Sequence, residues 1–256
     1  MQRMLNPLDH PFLILVVSLL TFWISAWIGG WIRMRRGVEK EEIHEDFAFV
    51  LGATLTLLGL IVGFTFAMAV NRYDQRKNYE EQEANAIGTE YVRADLLPVE
   101  DAAKVHALLR SYLDHRVLGY KTNDQQQLRR VNAETARLQI EMWSAVRAPV
   151  AASPTPVAAV ILAGMNDVLN SQGYTQAAWW NRIPVAAWAL LMIISVFCNI
   201  LVGYVAHGRS AFLFLILPIA LSISLFLIAD IDSPHHGIIR VVPQNLESLA
   251  DSFHPQ

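Results

Sequence analysis

The chain predicts an all-α polytopic membrane protein with four transmembrane helices and a helical extramembrane domain between the second and the third. Three observations carry that prediction. Of 256 residues, 54% are apolar and only 17% charged, with a mean hydropathy of +0.31, more apolar than ordinary soluble domains. The apolar residues gather in four runs free of Asp, Glu, Lys and Arg. Between the second and third runs, positions 71–182 hold 13 basic and 13 acidic side chains, and their apolar residues recur at helical spacing. The domains expected are therefore a hairpin over 1–70, with spans 12–32 and 47–70, the helical domain 71–182, a second hairpin 183–229 and a tail 230–256. A net charge of −3 gives no support for a nucleic-acid partner. The single cysteine, Cys198, lies inside an apolar run and reads as a small buried hydrophobe.

A helix crosses the ~30 Å hydrocarbon core in ~20 residues. The first run, Phe12 to Ile32, meets that length and stops at Arg33, Arg35 and Arg36, whose charges belong in water or among headgroups. Its length and the lack of a leading basic stretch set it apart from a signal peptide. Trp23, Trp27 and Trp31 share one face, with Trp27 and Trp31 as interfacial anchors and Trp23 packed deeper. In the second run, Phe47 to Val70, Gly59, Gly63 and Ala67 form a line of small residues, the usual sign of close helix packing, with a pore-lining role as the sharper alternative. The hydroxyls of Thr54, Thr56 and Thr65 either bond the preceding turn or face water. The third run, Val185 to Ala206, begins after Pro184. The fourth, Ala211 to Ala229, contains Pro218, which should kink it, and a tight turn through His207, Gly208 and Arg209 joins the two.

No glycine or proline interrupts Phe64 to Ile87, so the second span continues into water as one rod through Arg72, Arg76 and Glu83. Val105, Leu108, Leu109, Tyr112 and Leu113 mark a helix over Glu100 to Leu118, with Gly119 as its stop. Leu128, Val131, Thr135, Leu138 and Met142 make a 3-4 seam that must pack on a partner helix or a neighbouring subunit. The stretch APVAASPTP from Ala148 to Pro156 breaks the chain, and Val157 to Leu169 forms a shorter helix beyond it.

Enzyme motifs are missing: there is no phosphate loop, no GxSxG, no HExxH and no paired cysteines. Neither an enzyme nor a cofactor or metal is expected. His106 and His115 lie nine residues apart, on different faces of one helix. Asp230 and Asp232, beside His235 and His236, are the one cluster of potential ligands; a plain polar turn and a cation site compete for them. The spans carry no charged residue, which argues against a proton-relay transporter but not against a channel, whose hydrophobic constriction gates without buried charge. Four helices enclose no comfortable pore, so conduction requires several copies.

The stretch GFTFAMAVNRY, with seven residues between Gly63-Phe64 and Arg72-Tyr73, resembles the second-helix motif of the bestrophin channels. More closely, GLIVGFTFAMAVNRYDQR, EANAIGTEYVRADLLP and DIDSPHHGIIRV are similar to the bacterial bestrophin-like domain family. This resemblance implies a homo-oligomer, a pentamer, in which the second helix of each subunit lines a central path for inorganic ions. It places Phe64 and Leu60 at two hydrophobic rings of the neck. Thr56 stands where a third apolar residue is expected, the acidic run after the last span is reduced to Asp230 and Asp232, and Tyr73 and Asp74 replace a tryptophan pair. The competing reading is a non-conducting scaffold or sensor, anchored in the bilayer, whose helical domain binds a partner.

The resemblance also implies a bacterial inner-membrane protein. Four spans put both termini and the helical domain on one side. Bestrophins hold that domain in the cytosol. The positive-inside rule, comparing Arg3 with Arg33, Arg35, Arg36 and Lys40, instead favours a periplasmic domain, while Arg72, Arg76, Lys77, Arg182 and Arg240 oppose it.

Overall fold

The computed structural model describes residues 10–36, 45–206 and 211–253. Arg3, Lys40 and the turn through His207, Gly208 and Arg209 lie outside the described residues. Eight helices and one 3₁₀ turn make up the described fold, with no strand among them: α1 Pro11–Arg36, α2 Glu45–Arg93, the turn Ala94–Leu96, α3 Val99–Lys121, α4 Gln125–Ala152, α5 Pro156–Trp180, α6 Val185–Ala206, α7 Ala211–Asp232 and α8 Gln244–Phe253. They form two compact units, one from Met1–Arg72 with Arg182–Arg240 and one from Tyr73–Asn181 with Val241–Gln256.

The first unit holds four helices long and apolar enough to cross a membrane. α1 packs on both α6 and α7, and α6 on α7. Lipid gives apolar side chains little reason to leave it for one another, so helices in a bilayer cohere through close backbone approach and polar contacts. Both devices appear here. A methyl added to Gly29 would overlap the Ile200 carbonyl, and one added to Gly203 would overlap that of Ala26, so α1 and α6 touch through bare backbone. Arg33 is 5% exposed and donates from Nη1 to the carbonyls of Tyr204 and Val205, at 3.2 and 3.1 Å. Its charge thus satisfies the free C-terminal carbonyls of α6 and complements that helix dipole. The same contact puts the C-terminal ends of α1 and α6 together, while Phe12 meets Phe226 at the other end, with ring centroids 5.2 Å apart. Trp23, Trp27 and Trp31 all face outward, and Trp23 is 51% exposed rather than packed deeper, because the inner face of α1 is taken by Phe22, Ala26 and Arg33. Arg35 lies over the Trp31 ring.

α2 is one helix of 49 residues, about 73 Å at ~1.5 Å per residue and more than twice the hydrocarbon thickness. Its apolar part ends at Val70, and the remainder belongs to the second unit. That unit is a water-type core of Ile87, Val105, Leu109, Leu113, Leu138, Met142, Ile161 and Met165, each worth about 1.5–3 kcal/mol of transfer free energy when fully buried. α3 packs on α4, α4 on α5, and α8 on α3. The seam residues Val131, Thr135, Leu138 and Met142 are buried, so helices of the same chain serve as its partner.

Three sequence expectations need correction here. α3 passes through Gly119 and stops at Thr122, since Gly119 is buried with Val131 Cγ1 3.5 Å from where its Cβ would stand. α4 runs on through Pro149 to Ala152, and the break narrows to Ser153–Thr155. α5 then extends to Trp180, much longer than expected; Thr155 caps its first turn by accepting from the Ala158 N–H, and Pro156 sits at the helix start, where the missing N–H costs nothing.

Candidate functional site

The candidate path lies on the membrane-spanning part of α2. Here Leu58, Thr65 and Ala69 form the buried stripe, at 2%, 3% and 0% exposure. At ~100° per residue, Thr56, Leu60 and Phe64 fall on the opposite side. Thr56 is exposed, and Leu60 and Phe64 are 53% and 64% exposed. The Thr54, Thr56 and Thr65 hydroxyls donate to the carbonyls four residues back, at 2.7, 2.9 and 2.8 Å. Each is thereby satisfied by its own helix, and the Thr56 face presents its methyl as much as its oxygen.

Gly59 and Gly63 differ from Gly29 and Gly203: nothing lies within 4 Å of where their Cβ atoms would stand. Ala67 is exposed as well. Among the described residues, the small-residue line therefore packs on no helix of its own chain. The close backbone approaches between spans are at Gly29 and Gly203, whose contacts lie on another helix and so do not show in the spacing along one.

Asp230 and Asp232 hold different partners. Asp230 accepts the backbone N–H groups of Ile238 and Ile239 at 2.7 and 2.8 Å, and Gly237 lets the chain fold back against the Asp230 carbonyl. Asp232 takes the Arg182 Nε at 2.9 Å and the Ile183 N–H at 3.3 Å, tying the start of α6 to the end of α7. Both carboxylates thus serve backbone donors or a guanidinium, and no group of three potential metal ligands occurs among the described residues. His106 and His115 do lie apart: His106 stacks on Tyr91 and bonds its carbonyl at 2.8 Å, whereas His115 meets the Ser111 carbonyl.

Beyond Val70 the buried face of α2 carries charged residues beside Ala84 and Ile87. Arg76, Glu80, Glu83 and Glu90 are 2%, 1%, 0% and 0% exposed, so the rod runs on through Arg76 and Glu83 as expected but buries both side chains. Glu83 forms an ion pair with Arg116, which is 1% exposed, and accepts from the Thr175 hydroxyl at 3.0 Å. The carboxylate holds Arg116 firmly in its charged form. Glu80 accepts the N–H groups of Asn245 and Leu246, at 3.0 and 2.9 Å, at the N-terminus of α8. The signal available in the sequence was spacing: Arg116 falls four residues after Tyr112 on the apolar stripe of α3.

A model of the bestrophin-like domain matches residues 14–246. No curated protein sequence matches the chain. Its fold is similar to that of a bacterial bestrophin homolog from Klebsiella pneumoniae. One substituted form of that protein matches at 15% identity over 93% of each chain, with a TM-score of 0.64. Another matches at 16% identity over 96% of this chain and 99% of that one, with a TM-score of 0.63. A further membrane protein structure matches at 14% identity over 94% of this chain and 99% of the other, with a TM-score of 0.65. With four apolar spans, an all-helical fold of this kind and a family match over most of its length, the chain belongs to the bestrophin-like domain family.

Proposed function

We propose that the protein is a homo-oligomeric ion channel, a pentamer, in which the second helix of each copy lines a central path and Phe64, Leu60 and Thr56 form its neck. One observation carries this reading. A membrane helix whose apolar window is only 11% buried within its own chain presents an uncharged side of small residues with Leu60 and Phe64 standing out from it. Gly59, Gly63 and Ala67 then serve the approach of neighbouring copies, and Leu60 and Phe64 meet at the axis, where a narrow apolar ring excludes water until it widens. Thr56 leaves the third ring incomplete. The ions are inorganic, the membrane is the bacterial inner membrane, and the balance of basic residues around the first span favours a periplasmic helical domain.

The purified protein in planar bilayers tests the reading, compared with Phe64→Ala. Currents that rise or lose their gating in the variant are expected. Silence at every voltage and salt, or identical currents from both proteins, overturns it.

A second reading, the anchored scaffold, draws on the groove between α4 and α5 lined by Gln139, Ile140, Trp143 and Leu169, where Ile140 is 70% exposed. A stable hetero-complex together with a monomeric membrane part favours it over the channel.

A further inference from the structure

Glu90 is the one buried carboxylate on α2 that the described contacts leave unused. Glu80 caps α8 and Glu83 pairs with Arg116, but both Glu90 oxygens are buried without a hydrogen-bond partner. The residue is fully buried and lies against Gly164 of α5, itself buried, where any side chain would overlap Oε2. Glycine at 164 is what admits the carboxyl group. Arg93, one turn on along α2, reaches the same spot, its Nη1 standing 2.5 Å from where a Gly164 Cβ would be. Asp167, one turn along α5, is the other charge that acts on the group.

An ionised carboxylate cannot rest in such a place without a partner, because desolvation without compensating hydrogen bonds costs several kcal/mol. A protonated one can. Burial, reinforced by Asp167 and opposed by Arg93, pushes the Glu90 carboxyl up to about 8.

We propose that Glu90 is a proton-controlled contact between α2 and α5: protonated, it lets the two helices close over Gly164, and ionised, it forces them to part so that water or Arg93 can meet its charge. The helical domain would then respond to the pH of the compartment it faces. This holds whether or not the membrane part conducts.

The direction follows from linkage. The folded domain holds the Glu90 proton more tightly than the unfolded chain, where a glutamate titrates near 4.5. The stabilisation is therefore complete below that value and is lost as pH rises through about 8.

The test is the thermal midpoint of the full-length protein in lipid nanodiscs as a function of pH, alongside infrared detection of a protonated carboxylic acid. The wild type is expected to lose stability as pH rises from 4.5 and to level off above about 8, and to show at neutral pH a carboxylic acid band that Glu90→Gln removes along with the inflection near 8. Should Glu90→Gln not fold, two variants keep Glu90 itself. Asp167→Asn removes a repelling charge and must move the inflection to lower pH; Arg93→Gln removes an attracting one and must move it higher. Superimposable pH profiles for wild type and Glu90→Gln, no carboxylic acid band, or shifts of the other sign overturn the proposal.

Discussion

The two halves of α2 differ in whether charge is buried along with apolar side chains. Up to Val70 the helix buries Leu58, Thr65 and Ala69 and leaves Leu60 and Phe64 uncovered. Beyond Tyr73 it buries Arg76, Glu80, Glu83 and Glu90 together with Ala84 and Ile87 and leaves Asn78, Gln82 and Asn85 exposed. One continuous helix with no break in its backbone hydrogen bonding therefore obeys two different rules. In lipid, exposure of an apolar side chain costs nothing, and the positions that matter are small ones where backbones meet. In the helical domain burial is driven by the hydrophobic effect, and a charge enters the core only where a specific partner or a proton neutralises it. Burial alone thus says little about chemical character until the surrounding medium is known.

The contrast can be broken most forcefully at Arg116. Arg116→Met leaves Glu83 buried with only the Thr175 hydroxyl for company, and should cost about 3–5 kcal/mol, the usual penalty for a buried charge stripped of its partner. Adding Glu83→Gln should restore much of that loss. If chemical denaturation finds the single variant as stable as the wild type, Glu83 is not held as a buried ion pair.

A smaller effect is expected at the other paired carboxylate. Glu80→Ala removes the acceptor for the Asn245 and Leu246 N–H groups and should cost about 1–3 kcal/mol. The loss should be felt mainly by α8, so amide exchange over residues 244–253 should accelerate ahead of α3. Uniform acceleration across the domain would show that α8 is not separately held by this cap.

The smallest effect on the single chain is expected in the membrane half, and it sharpens the comparison. Gly63→Ala has room for its methyl and replaces a poor helix former, a change that favours the helix by about 0.5–1 kcal/mol. The chain should fold at least as well as before, while the particle size in detergent or the conductance changes. An unaltered assembly with unaltered currents would remove Gly63 from any contact between copies. The same substitution at Gly203 meets the Ala26 carbonyl and has no such freedom.

Much of the fold could be read from residue order. The four spans, the rod of α2 and the seam of α4 follow from run length, from the missing Gly and Pro between Phe64 and Ile87, and from 3-4 spacing. Helix ends were less visible: Gly119 and Pro149 are strong local stop signals, yet packing on Val131 and continuation of α4 to Ala152 override them. For the candidate site, the sequence marked Thr56, Leu60 and Phe64 through the motif around Gly63-Phe64. It could not distinguish a small-residue line that packs within the chain from one that does not.

What the sequence determined by itself is the medium of each segment, because hydropathy is a sum over neighbouring residues and needs no knowledge of distant ones. Pairings across the chain were decided by tertiary structure alone: Arg33 on the carbonyls ending α6, Gly29 and Gly203 at the α1–α6 contact, Arg182 on Asp232, and Glu83 on Arg116. A lone charge or glycine reads the same whether it faces water or a partner many residues away. The energy that separates the two cases depends on the partner's position in space.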